Sequence, residues 1–121
     1  MTEIILRLLK IREQVQILHW QTKSYARHKA YDLYYEELSD LIDAFTESYQ
    51  GKYGRIELPA GSSLALEDIK ELDLNAFLEG IIEMLKVEIS ANLDDSDTDL
   101  LNIRDEMIGL TNKLVYLLTL K

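Results

Sequence analysis

Cysteine is absent from this chain. Disulfide scaffolds, cysteine–zinc sites, iron–sulfur clusters and thiol nucleophiles are therefore excluded, and a reducing compartment fits. Basic residues are scarce: 13 Lys and Arg stand against 22 Asp and Glu, a formal net charge of -9. That balance argues against nucleic acid or an anionic membrane as the main partner, and leaves cations, basic proteins or simple solubility. Long apolar runs are missing too. The first, Ile4-Ile5-Leu6, is broken by Arg7, Lys10, Arg12 and Glu13. It is too charged for a signal-peptide core and far short of the about 20 residues of a membrane span. The expected location is the cytoplasm. No stretch alternates at period two, so no strand is predicted.

What is present is an ordinary globular composition, 47% hydrophobic over 121 residues. One domain of this size can bury roughly two-thirds of its unfolded surface without staples. The only proline and three of the five glycines (Gly51, Gly54, Pro59, Gly61) fall in one stretch, which reads as the main connector between two halves. In the first half, Ile4, Leu8, Ile11, Val15 and Leu18 form a helical stripe at spacing 4, 3, 4, 3, opening at Thr2 as a cap and closing at Trp20. Thr22 to Arg27 reads as a link. A second stripe runs through Tyr31, Tyr34 or Tyr35, Leu38, Leu41 or Ile42, Phe45 and Tyr49, with Gly51 as its stop. In the second half, Leu74, Phe77, Ile81, Leu85 and Ile89 make a third stripe. Leu100, Ile103, Met107, Leu110, Leu114 and Leu117 make a fourth. The predicted helices span about 3–21, 28–50, 74–92 and 97–120, with a short helix at about 64–71 capped by Ser62 and Ser63. The fold class is all-α, a ferritin-like four-helix bundle whose long middle connector carries that short helix.

Two histidines, His19 and His28, end the first helix and begin the second, so an antiparallel hairpin brings them together. With His28 set at zero and about 100° per residue, Asp32, Asp43, Glu36, Glu47 and Asp40 fall between about 40° and about 120°. The aromatic stripe occupies the arc from roughly 220° to 340°. A carboxylate stripe beginning at a histidine is a plausible site for iron, manganese or zinc. Rise along the helix limits it. His28 and Asp43 are fifteen residues apart, about 22 Å, so they cannot share an ion within one chain. Two antiparallel copies could, His19 and His28 of one facing Asp43 and Glu47 of the other.

At these residues the sequence resembles the Dps-type mini-ferritins: His19-Trp20, then His28 with Asp32 four later, Asp43 fifteen later and Glu47 nineteen later. The resemblance implies a ferroxidase site built from two histidines of one subunit and two carboxylates of its two-fold mate. His19, His28, Asp32, Asp43 and Glu47 take ligand or near-ligand positions, with Trp20 and Glu36 beside the site and iron as the metal. It implies a homo-oligomer built from two-fold dimers. Close resemblance covers about residues 15 to 50. Gln21 to Tyr25, Tyr49 to Gly54 and Leu114 to Leu120 also look like small phage-encoded ferritin-like proteins of unassigned function. The chain departs from the family in a histidine link some three residues shorter and in lacking the family's Lys-rich N-terminal tail. DNA compaction is accordingly not expected, and the choice between a dimer and a larger shell stays open.

Simpler readings stand beside these. Either histidine could cap carbonyls or pack on Trp20, which is expected to plug the bundle end. Asp32, Glu36, Asp40, Asp43 and Glu47 could be a solvated face, and the tyrosines core packing. Asp95, Asp97, Asp99 and Glu106 mimic a calcium loop, but the sixth position is Leu100 where glycine is required, so a turn and N-cap is predicted. Two functions remain: iron binding with possible Fe(II) oxidation, or a non-catalytic helical interaction or virion-associated protein that keeps the scaffold.

Overall fold

The computed structural model describes residues 1–121, and every regular element is helical. The elements are α1 (Thr2–Gln21), α2 (Tyr25–Tyr53), α3 (Leu74–Glu83), a π-helical turn (Met84–Glu88), α4 (Ile89–Ala91) and α5 (Thr98–Leu117). α3, the π turn and α4 follow without a break, so four rods form the bundle. The stripes supply the core. Ile4, Leu8, Ile11, Val15 and Leu18 are all buried, as are Tyr31, Tyr34, Leu38, Ile42 and Phe45 of α2 and Leu100, Met107, Leu110 and Leu114 of α5.

Long-range contacts set the topology. Tyr34 meets Thr111 through their hydroxyls at 2.8 Å, and Lys52 and Tyr53 reach Asp97, so α5 runs antiparallel to α2. Arg7 pairs with Glu88, and Lys10 lines a groove with Ala76 and Phe77, so the third rod runs antiparallel to α1. Neighbours around the ring, α1–α2–α5–α3, are thus all antiparallel. The connector must return from the foot of α2 to the upper half of α1 before α3 begins.

Two glutamines fix that return. Buried Gln14 accepts the Glu67 N–H at 2.8 Å and donates to the Glu67 carbonyl at 2.9 Å. Gln21, one heptad later on the same face, accepts the Ile69 N–H at 2.7 Å and donates to Asp68 at 2.9 Å. Those bonds take the backbone groups a helix would use, so the short helix expected at about 64–71 does not form and Ser62 and Ser63 cap nothing. The Pro59–Ser62 turn uses Gly61 at φ 76°, a left-handed position that suits glycine. Gln14→Leu would keep the buried volume and delete both bonds to Glu67. The expected result is faster amide exchange at Glu67 and faster proteolysis of the connector, with about 1–3 kcal/mol lost overall, measured by hydrogen exchange and urea melts.

Several boundaries differ from expectation. α2 begins at Tyr25 rather than about 28, because Ser24 accepts the Arg27 N–H at 3.2 Å as N-cap. It continues through Gly51 to Tyr53 and ends at Gly54, whose φ of 95° and N–H to the Gln50 carbonyl close it. Exposed Gly51 costs helix only about 1 kcal/mol. Thr2 lies inside α1, which has Met1 at the cap position and no side-chain cap. The third rod is not a uniform helix over 74–92. At its π turn the Ile89 N–H bonds the Met84 carbonyl, and Arg104 of α5 reaches Ser90 and, at 3.5 Å, the Leu85 carbonyl. α5 ends at Leu117, followed by a turn through Leu120.

Candidate metal centre

Only three residues, Thr22 to Ser24, separate α1 from α2. A link this short forces the last turn of α1 against the first turn of α2 and places His19 on His28. The two imidazoles stack with centroids 3.9 Å apart and planes 17° apart. Each Nδ1 bonds the other residue's main-chain carbonyl: His19 Nδ1 to the His28 oxygen at 2.8 Å, and His28 Nδ1 to the His19 oxygen at 2.9 Å. A carbonyl only accepts, so both Nδ1 atoms carry hydrogen. The neutral ring then has its lone pair on Nε2. The His19 carbonyl is among the last four of α1, which lack helical partners, and His28 supplies one.

The carbonyl-capping reading of the histidines is therefore realised, and it leaves two Nε2 lone pairs free. A neutral imidazole nitrogen is a donor type that divalent ions accept. A metal-binding histidine usually has its other ring N–H held by a carbonyl or carboxylate, which fixes tautomer and orientation. Asp32, one turn after His28 and half-exposed, lies with Oδ1 4.0 Å from His19 Nε2. At that distance it makes no hydrogen bond to the ring and stands as the nearest carboxylate to it. His19 itself is mostly covered, its side chain 13% exposed.

The remaining predicted residues lie elsewhere. Asp43 and Glu47 are exposed on α2, one turn apart, and Glu36 is exposed between them and Asp32. No group of three or more His, Asp or Glu side chains within one chain is arranged to hold a metal. The chain brings together His19, His28 and Asp32, and leaves Asp43 and Glu47 facing outward. Trp20 does not plug the bundle end: it is 65% exposed beside the histidines, with Tyr25 also exposed. The short link turns its ring away from the core.

A second polar cluster sits at the opposite end of α2. Asp97 is 1% exposed. It accepts from Lys52 Nζ at 2.7 Å, from the Tyr53 hydroxyl at 2.6 Å and from the Asp94 N–H at 2.8 Å. The Lys52 ammonium, then the Tyr53 hydroxyl, hold its carboxyl down at about 2, and Lys52 is raised by Asp97 and Asp99 in turn. Asp97 stands at the N-cap of α5, yet its side chain makes no cap bond there. It turns back to the lysine, so the cap predicted in this turn is replaced by an inter-helix clasp. Sequence reasoning missed Lys52 and Tyr53. The signal was weak: a Lys-Tyr pair at a helix end followed, 45 residues later, by an aspartate cluster.

A family model described as a family of unknown function (DUF5856) matches residues 19–118. The chain is also similar to an uncharacterized 14.6 kDa protein in the mobD-ri intergenic region of Enterobacteria phage T4, 52% identical over 58 residues. That match spans 46% of this chain and 45% of the relative, less than half of either. No solved structure matches.

Proposed function

The chain belongs to the family of unknown function DUF5856, and from that premise we propose that it is a ferritin-like, Dps-related protein that binds iron between two copies of itself. Fe(II) is the substrate, giving its electron to oxygen or peroxide. The observation that carries the reading is the reciprocal bonding of His19 and His28, which fixes both rings and leaves two Nε2 lone pairs, that of His19 4.0 Å from Asp32. In a two-fold dimer with α2 antiparallel to its mate, Asp43 and Glu47 of the second copy complete the donor set. Exposed and one turn apart, they point the same way. The all-antiparallel ring with a long crossover supports the ferritin-like assignment, since that connectivity belongs to ferritin-like bundles. The similarity to a phage T4 protein supports a phage origin and a place in the host cytoplasm or the virion. No helix is long and apolar enough to cross a membrane.

The second reading, a helical interaction or virion-associated protein without turnover, draws on a different observation: both Nδ1 groups already close the hairpin, a complete structural role. Anaerobic Fe(II) titration separates the two. The iron reading expects saturable binding with as many sites as chains, lost in the H28A/D43A double variant, and a dimeric solution mass. Because each site draws on two copies, mixing the His28→Ala and Asp43→Ala single variants should restore about one quarter of the sites. A monomer, or binding unchanged in the double variant, rejects the shared site.

A further inference from the structure

The side of the bundle between α1 and α3 closes less tightly than the α1–α2 and α2–α5 sides. A groove of about 250 Å³ opens there. Its floor is apolar and buried, made by Ile11, Ile81 and Met84, with half-buried Phe77 as one wall. Ala76 and Gly80, one turn apart on α3, give that wall almost no side chain, and a Cβ built on Gly80 meets nothing within 4 Å. The only charged residues lining it are Arg7 and Lys10. Arg7 is paired with Glu88, whereas Lys10 has no ion-pair partner. An adjoining hollow of about 290 Å³ shares Lys10, Ala76 and Phe77 but is flanked by Glu67 and Asp73.

In a chain of net charge -9, a groove lined by an unpaired lysine and an arginine held by one carboxylate, over an apolar floor, complements an anion with an apolar tail. We propose that it binds a medium-chain carboxylate, the head group at Lys10 and Arg7 and the tail over Ile11, Phe77, Ile81 and Met84. Volume selects this occupant over a partner helix. A space of about 250 Å³ is on the scale of a small-ligand site, where a single unbranched chain can lie along the apolar floor. Glu67 and Asp73 fix the polarity, repelling the carboxylate from the adjoining hollow. The site is independent of the histidines and needs no second copy.

The test is a titration of the full chain with sodium octanoate, followed by amide NMR. The expected result is saturable shifts confined to Ile11, Phe77, Gly80, Ile81 and their neighbours. Affinity should fall about tenfold in Lys10→Glu, the scale of one lost charge contact, and be retained in Lys10→Arg. Gly80→Leu, which fills the groove from an open position, should abolish binding. Octylammonium, with the same tail and the opposite head, should bind at least about tenfold more weakly. No saturable shift, shifts spread over α2 and α5, equal affinity for both head groups, or affinity unchanged in Lys10→Glu and Gly80→Leu would each overturn the proposal.

Discussion

Phe45→Ala should destabilise the protein by about 3–5 kcal/mol and lower its melting midpoint by about 10–25 °C. The ring is wholly buried, at 0% exposure, on the one helix that packs extensively against two neighbours, α1 and α5. A cavity there is walled from several sides. It cannot easily be closed by a shift of α2, because that helix is tied to α1 at its start by the histidines and to α5 at its end by Asp97. The lost transfer energy and the unfilled cavity therefore add. Against a total stability of typically about 5–15 kcal/mol, the change is a large fraction. Trp20→Ala is the informative contrast. It removes a larger side chain, yet one 65% exposed, and should alter stability by no more than about 0.5 kcal/mol. Circular-dichroism melts of the two variants decide the matter. A tryptophan loss as costly as the phenylalanine loss would mean that Trp20 is packed in solution, against a second copy.

The second large effect is at the other end of α2. Asp97→Asn keeps the shape of the side chain but removes the charge that Lys52 and Tyr53 hold. Lys52 is exposed and can return to water, so the loss falls on the contacts of the covered carboxylate, and the melting midpoint at neutral pH should fall by about 3–8 °C. The pH dependence has a defined sign. The folded carboxyl sits at about 2, below the ordinary value of 3.8. A carboxyl depressed by folding stabilises above its unfolded value, and that contribution is lost as pH falls through the folded value. Wild type should therefore lose the Asp97 contribution between about pH 4 and about pH 2, while Asp97→Asn should not, and the gap between them should close by the acid end of that window. Urea midpoints measured across the range provide the test. A gap that stays constant to pH 2 would assign the effect of the substitution to packing.

The parts of this fold legible in the sequence are those written in local periodicity. Apolar residues at spacing 4, 3, 4, 3 in α1, and the runs through Leu38 and Leu114, sort themselves onto the core face whatever else the chain does. The meeting of His19 and His28 was legible for the same reason, because a short link between two antiparallel stripes leaves no other arrangement. What was illegible depends on distant partners. Gln14, Asp97 and Thr111 are polar residues in the interior. Each is there because a residue far along the chain satisfies it: Glu67 for Gln14, Lys52 for Asp97, Tyr34 for Thr111. Residues 64–71 look helical on composition, but the side chains of Gln14 and Gln21 take their backbone. The first turn of α2, Tyr25 to His28, has no fully buried residue and carries no stripe, so only the Ser24 cap announces it. Of the candidate centre, the histidines and Asp32 come together within the chain. Asp43 and Glu47 stay exposed further along α2 and do not join them.

The π turn in the third rod has a consequence for its neighbour. In a regular helix the Ile89 N–H would meet the Leu85 carbonyl, but here it goes one residue further back, to Met84. Leu78 and Ile81 before the turn, Met84 and Leu85 within it and Ile89 after it are all buried, so the core face runs through the turn unbroken. What changes is the backbone ladder: Arg104 of the neighbouring helix donates to the Leu85 carbonyl at 3.5 Å. A widened turn thus gives a side chain of α5 a main-chain acceptor on the third rod that a regular helix would have kept for itself.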